Sequence, residues 1–296
     1  MKCKYGCSNS NVIKYGIRKT GRGTTQRMKC NECNKEFSYN ESEIVKRAIV
    51  TPDKHFPLAD MKAISCVTQA IELVEPDIYV DLGDTGEWSH FSRHKYKNKE
   101  KPPLEYMLPD CDRDIRDVNL GMDIIDEALD KVGCSEKHIT EGNHDNWCNS
   151  FTEMNPFVDY RFKKIVKLDE RGYNYHPMGK YLKIGNLHFY HGIHYGGQYH
   201  TANHLRKLGA NIMYGHWHDI QHMTMTHMNG PIGAWSIGCL KNMTAESNAW
   251  LSNRVVNWNH AFAIVEWYGD EGNFTVDIVT IIDGKTCVWG QPLRGK

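Results

Sequence analysis

Long hydrophobic runs are missing from this chain. In 296 residues no apolar stretch approaches the ~18 needed to span a bilayer, which excludes a helical membrane anchor. The opening Met1-Lys-Cys-Lys-Tyr-Gly-Cys7 also lacks the apolar core of a signal peptide, so a cytoplasmic protein without a membrane partner is expected. Net charge is absent too, with 36 basic and 36 acidic residues. No internal repeat or low-complexity tract is visible, which argues against a solenoid or a disordered chain. Cysteine, by contrast, is plentiful. In a reducing compartment its ten thiols are free to bind metal and need not pair. The length suffices to bury a full core in one large or two unequal domains.

The zero net charge conceals a division. Residues 1–38 carry nine Lys/Arg against Glu32 and Glu36, so +7, and the remainder is −7. A basic head on an acidic body suggests a polyanion partner, although a solvated charged surface would look the same. The head holds Cys3-x3-Cys7 and Cys30-x2-Cys33, two close pairs that four-thiolate zinc coordination requires. Asn11–Arg18 and Thr24–Lys29 read as strands around the turn Gly21-Arg22-Gly23. Together these features resemble a zinc ribbon of the kind found in DNA-associated proteins, though the first pair is more often Cys-x2-Cys. Such a ribbon can bind nucleic acid, contact protein or act as a brace. Cys66, Cys111, Cys134, Cys148, Cys239 and Cys287 show no close pairing and are expected to be buried. A polar stretch beginning at Tyr39 makes residues 39–46 a linker, leaving 47–296 as the body.

In the body, predicted strands alternate with helices. Ala48–Thr51 precedes a helix whose Met61, Ile64, Val67, Ile71 and Val74 share one face until Pro76 stops it. Ile78–Leu82 follows, then a helix over Leu120–Val132 ended by Gly133, then His138–Thr140. Later come a hairpin (Tyr181–Ile184 and Leu187–Tyr190), Ala210–Tyr214, and a closing β region over Ala261–Trp267, Phe274–Ile281 and Thr286–Trp289. Periodicity alone gives an α/β domain with extra strands.

Five short segments at the ends of predicted strands carry the chemistry: Asp53-Lys-His55, Gly83-Asp84, Gly142-Asn143-His144-Asp145, His191-Gly192 and Gly215-His216-Trp-His218. Oxygen and imidazole donors suit Mn, Fe or Zn, and no cysteine joins them. Alternate residues of an extended segment point the same way, so Asp-x-His and His-x-His can each present two donors to one site. Any one segment is weak evidence; all five in this order resemble the calcineurin-like metallophosphoesterases over roughly residues 47–296. The resemblance implies a four-layer α/β/β/α sandwich and two divalent ions, with Mn foremost and Fe, Zn or Mg as alternatives. One ion would take Asp53, His55, Asp84 and His218, the other Asp84, Asn143, His191 and His216. Asp84 would bridge them, and a hydroxide shared by the ions would attack phosphorus. His144 resembles the proton donor to the leaving group. Glu87, three residues after Asp84, is the expected partner that orients it, or else a plain surface acid.

Departures narrow the class. Trp88 stands where protein Ser/Thr phosphatases carry a substrate-binding Arg, and Glu87 where purple acid phosphatases carry Tyr. What remains resembles nucleases and phosphodiesterases, including phage enzymes. The stretch from Trp88 to Lys99 interleaves His90, Arg93, His94 and lysines with aromatics, as a single-stranded nucleic acid would require, or as a solvated loop would tolerate. The expectation is therefore a two-metal nuclease acting on nucleic acid, foremost DNA, with a structural zinc in its ribbon. The rival readings are a phosphomonoesterase or small-molecule diesterase whose ribbon contacts protein, and a non-enzymatic binding module.

Overall fold

A computed structural model describes Cys3, Cys7 and residues 11–20, 23–39, 46–97, 99–244, 246–252, 254–269 and 271–296. Its chain divides into two compact units: residues 1–45 with 267–273, and residues 46–266 with 274–296. The first unit therefore gains a segment from the far end of the chain that the boundary at residue 38 did not include. The expected turn residues Gly21 and Arg22, and linker residues 40–45, lie outside the described residues.

The first unit contains β1 (Val12–Thr20), β2 (Gly23–Cys30) and β3 (Glu36–Tyr39), an antiparallel sheet in that order. Cys30 ends β2, and the tight turn through Cys33 leads into β3, with Asn34 in the left-handed region at φ 60°.

The second unit is built on two mixed sheets. The larger contains β4 (Lys46–Thr51), β5 (Ile78–Asp81), β6 (Glu136–Thr140), β7 (Tyr173–His176), β13 (His260–Tyr268) and β14 (Asn273–Ile281). Its order is β14-β13-β4-β5-β6-β7, and β4 to β7 run parallel. All four residues of β5 are buried, as expected of a central parallel strand covered on both faces. The smaller sheet holds β8 (Leu182–Ile184), β9 (Leu187–Tyr190), β10 (Ile212–Tyr214), β11 (Ile220–His227) and β12 (Gly230–Ile237), in the order β11-β12-β10-β9-β8. β15 (Lys285–Val288) and β16 (Gln291–Arg294) form a closing hairpin.

Helix α1 (Met61–Val74) and helix α2 (Leu104–Val132) cover the larger sheet. α1 starts where the Asp60 carboxylate accepts the amides of Lys62 and Ala63, and it ends at Glu75 in the left-handed region. Its buried Ala63, Ile64, Val67, Ile71 and Val74 join Ile49, Tyr79 and Ile139 in the main core. α2 begins at Leu104 rather than Leu120. Its first half buries Met107, Cys111, Asp114 and Val118, a face too polar to reveal the helical period, and Pro109 sits inside it. Three shorter helices follow: α3 (Asn143–Met154), α4 (Phe162–Ile165) and α5 (His200–Leu208), the last packed on β11 and β12. The body is thus α/β with four layers: α1 and α2, the larger sheet, the smaller sheet, α5. Among the described residues no helix is long and apolar enough to cross a membrane. Five of the six isolated cysteines are buried as expected, but Cys287 is exposed, because it lies on the two-stranded closing hairpin.

Candidate active site

Five strands end at one place. β4 runs into Asp53 and His55, β5 into Asp84, β6 into Asn143 and His144, β9 into His191, and β10 into His216 and His218. His55, Asp84, His216 and His218 adopt φ of 53°, 46°, 68° and 61°, a left-handed conformation that non-glycine residues seldom occupy. Such outliers gather where function over-determines the backbone. The intervening residues turn away. Lys54 is buried against Asp81, Nζ 2.7 Å from Oδ1. The Trp217 indole donates to the Gly192 carbonyl at 3.1 Å.

The donors named by the five segments form two sets, and a third close group joins His55 to Glu87 and His144. Asp53, His55 and His218 each offer one atom within 4.8 Å of the others, and so do Asp84, His191 and His216. Asn143 joins the second set, its Oδ1 3.0 Å from His191 Nε2. Asp84 Oδ2 lies 3.3 Å from His191 Nε2 and 3.8 Å from His55 Nε2, so it faces both sets. Asp84 Oδ1 accepts the His144 amide at 2.8 Å, which fixes the carboxylate.

The imidazoles are held from behind. His191 Nδ1 donates to the Leu82 carbonyl at 2.9 Å, and His55 Nδ1 lies 2.9 Å from the Glu87 carboxylate as an ion-pair contact. Each therefore directs Nε2 at the centre, in the way partners behind a ligating imidazole fix its ring at metal centres. The glycines make room. A Cβ on Gly142 would collide with Asp84, and one on Gly215 with the Asp53 carboxylate.

Burial and crowding displace the protonation equilibria. Burial alone would raise Asp84, but His191, His144 and His55 hold its carboxyl well below the usual range. Burial likewise opposes Asp53, yet His218 and His191 bring it to about 2. Burial pushes His55 and His216 down to about 4. It is overcome at His191, which the Asp84 carboxylate raises to about 9. The proton held by His191 thus balances buried carboxylate charge in the place where a cation would do so. Oxygen and imidazole donors converging in two sets that share an aspartate fit a pair of divalent ions.

His144 stands beside the ligand sets, part-exposed to a cleft of about 680 Å³. Its Nδ1 is 2.8 Å from the Glu87 carbonyl, which can only accept, so Nδ1 carries a proton and Nε2 is left for the cleft. The expected role of Glu87 needs correction: its carboxylate binds His55 and Lys241 (2.7 Å), and only its backbone carbonyl orients His144. Glu87 is nonetheless no plain surface acid. Burial would raise it, but His55 and Lys241 hold it at about 2.

The loop after Asp84 also differs from expectation. Trp88 and Phe91 are core residues and offer no stacking face. His90 is tied to α2, its Nδ1 2.8 Å from Asp114, and does not line the cleft. Arg93 lines a shallow neighbouring pocket, and only His94 of the three reaches the cleft.

Sequence reading missed two supporting residues. The carboxylate of fully buried Asp145 accepts the amides of Gly142 (3.1 Å) and Thr85 (3.3 Å) and the Trp88 indole (2.9 Å), so it ties the Asp84 loop to the Asn143–His144 turn. Its place in Gly142-Asn143-His144-Asp145, three residues into α3, was the available signal. Lys241, buried against Glu87, carried none. His200 and His204, outside the five segments, are also buried. His200 Nε2 bonds Asp219, next to His218, at 3.0 Å.

In the first unit the thiols of Cys3, Cys7, Cys30 and Cys33 lie within 4.8 Å of one another, with Cys3 Sγ 3.7 Å from Cys33 Sγ. Four converging thiols are what a tetrahedral zinc requires.

No protein-family profile matches the chain. It is 24% identical over 271 residues to the Gene 54 protein of Mycobacterium phage L5, which spans 83% of this chain and 98% of that protein. The Gene 54 protein of Mycobacterium phage D29 is 25% identical over 269 residues, with the same coverage. Among solved structures it is similar to a Vps29 mutant from Entamoeba histolytica (14% identity, 84% of this chain and 99% of that chain, TM-score 0.41). It is also similar to Vps29 from Cryptosporidium parvum (12%, 85% and 100%, TM-score 0.45). A third likeness is to the nuclease MPE of Pseudomonas putida (10%, 89% and 100%, TM-score 0.32). All three overlays are loose, so the chemistry of this chain has to be read from its own residues.

Proposed function

We propose that this chain is a two-metal phosphoesterase of the calcineurin-like kind and acts as a nuclease. The observation that carries the reading is Asp84, whose one oxygen faces two ligand sets while its other is fixed by the amide of the candidate proton donor. In this reading Asp53, His55, Asp84 and His218 hold one divalent ion, foremost Mn, and Asp84, Asn143, His191 and His216 the other. When bound, the two ions would activate water and offset charge on the phosphoryl oxygens.

The chain's own residues supply the remainder. His144, held through Nδ1–H by the Glu87 carbonyl, presents Nε2 to the leaving-group oxygen; in its imidazolium form it carries on Nε2 the proton that passes to that oxygen as the P–O bond breaks. Glu87 and Leu82 fix the two ligand imidazoles so that neither rotates when a substrate enters. Lys241 neutralises Glu87, which keeps that carboxylate from competing as a ligand.

Tryptophans in the cleft favour a nucleic acid over a small phosphomonoester, since stacking faces have no role for an aliphatic or inorganic leaving group. The +7 head, with zinc held by Cys3, Cys7, Cys30 and Cys33, would add phosphate contacts. The likeness to mycobacteriophage proteins supports a place in the cytoplasm of an infected host.

The test is metal analysis of the purified protein together with hydrolysis, in Mn, of labelled single- and double-stranded DNA and RNA and of chromogenic mono- and diesters. Cleavage of nucleic acid with about two ions bound beyond the zinc supports the reading. Hydrolysis of monoesters alone would favour the small-substrate enzyme, and no hydrolysis of any substrate would favour the binding module.

A further inference from the structure

The cleft has aromatic walls that belong to different parts of the chain. Trp147, on α3, packs its ring on His144 with centroids 3.8 Å apart and planes 33° apart. Trp258, in the segment before β13, packs on His218 at 4.6 Å. Trp250 stands 6.1 Å beyond Trp258 and is 64% exposed. All three tryptophans line the cleft. Between the walls lies His55, with His144 4.6 Å to one side and His218 5.1 Å to the other. Ring contacts therefore link Trp147, His144, His55, His218, Trp258 and Trp250 in turn, with His55 and His218 belonging to one ligand set and Asp84 of the other 3.8 Å from His55. A phosphate over that centre would have an aromatic face on each flank.

Trp250 and Trp258 lie side by side at the edge of a polar, ligand-rich centre and offer planar apolar surface to a ligand there. Trp147 is anchored by packing on the main core and Trp258 is part-buried, yet both leave surface facing the cleft. Lys95 and His94 also line the cleft, His94 with its ring 5.8 Å from that of Trp147. Cation next to aromatic is the pairing that tracks a sugar–phosphate backbone with unstacked bases. A duplex keeps its base faces stacked inside and has none to offer.

We propose that Trp147 on one side and Trp258 with Trp250 on the other form a clamp that takes unstacked bases flanking the scissile phosphate, so that the substrate is single-stranded nucleic acid. This rests on the phosphoesterase reading for what happens at the phosphate, but the clamp itself can be measured without turnover.

The experiment compares the full chain binding three fluorescently labelled ligands in chelator, by anisotropy: a mixed-sequence single-stranded DNA, an abasic strand of the same length, and the duplex. The wild-type chain should bind the single strand tighter than the abasic strand by about 5- to 150-fold for each base stacked, and tighter than the duplex. Trp250→Ala and Trp258→Ala should bring the single-strand to abasic ratio towards one. Trp258→Phe should recover most of it, because a phenyl ring still stacks. Trp250 is exposed, so its replacement tests the clamp without threatening the fold.

Equal binding of base-bearing and abasic strands by the wild type overturns the proposal. So do an unchanged ratio in both alanine variants and duplex binding as tight as the single strand. Adding Mn then separates the two readings. A base-dependent affinity without cleavage keeps the clamp and sinks the nuclease, whereas cleavage without base dependence keeps the nuclease and sinks the clamp.

Discussion

Replacing Gly142 with alanine should disable the site through one methyl group. Gly142 has φ −84° and ψ 171°, an extended conformation open to any residue, so alanine brings no backbone strain. The demand for glycine is steric. Its missing Cβ would overlap the Asp84 side chain and also press on the Asp84 amide, whereas ordinary contacts sit at 3.4–4 Å. Because both loops are held by Asp145, the relief must come from Asp84, which has to retreat by roughly 1 Å. A misplacement of that size costs on the order of 10²-fold in rate. Overpacking should lower stability by about 1–3 kcal/mol at the same time. Urea unfolding, metal content and hydrolysis of one diester would be measured for Gly142→Ala and for Gly209→Ala. Gly209, at the end of α5, has φ 61° and no atom within 4 Å of its absent Cβ. Its alanine should lose roughly 1–2 kcal/mol to left-handed strain while keeping the ions and the rate. A Gly142→Ala protein that holds two ions and turns over like wild type would refute the claim that Asp84's position is what the site depends on.

Other consequences can be checked separately. Asp84→Ala and His216→Ala should each abolish hydrolysis and lower the bound metal measured by elemental analysis; turnover retained in Asp84→Ala would sink the two-ion assignment. His144→Ala should lower the rate by ~10²–10⁴-fold with metal content intact, and less for esters with good leaving groups. If it removes an ion instead, His144 is a ligand and not the proton donor. Lys54→Met leaves Asp81 buried without its partner and should cost about 3–5 kcal/mol in urea melts near neutral pH. Burial already raises the Asp81 pKa, and losing Lys54 raises it further, so the variant's deficit should shrink as pH falls and Asp81 takes a proton. A deficit independent of pH would contradict that account. Lys14→Ala and Lys29→Ala in the ribbon should each make the salt dependence of nucleic-acid binding shallower by about 1 in log–log slope; unchanged slopes would mean the ribbon does not touch phosphate.

The candidate donor residues were legible in the sequence because each stands one to four residues beyond a buried strand, and strands such as Ile78–Asp81 declare themselves by composition. Short Asp-x-His and His-x-His spacings then carry local geometry that no distant contact can alter. The C-terminal end of α1 was legible for the same reason, since Pro76 acts on its own neighbours. The two antiparallel strands of the ribbon, and the pairing of its cysteines by twos, were local as well. Tertiary structure alone decided what depends on partners far along the chain. Glu87 looked like the orienter of His144, but its carboxylate meets His55 and Lys241, the latter 154 residues away. Trp88 and Phe91 looked like stacking faces beside His90 and became core, because α2 closes over them with Asp114 holding His90. The aromatic surface that the cleft does possess comes from Trp147, Trp250 and Trp258, which share no local pattern. Sequence spacing fixes which side chains leave a strand end together; which of them meet across the cleft is set by how the sheets and helices pack.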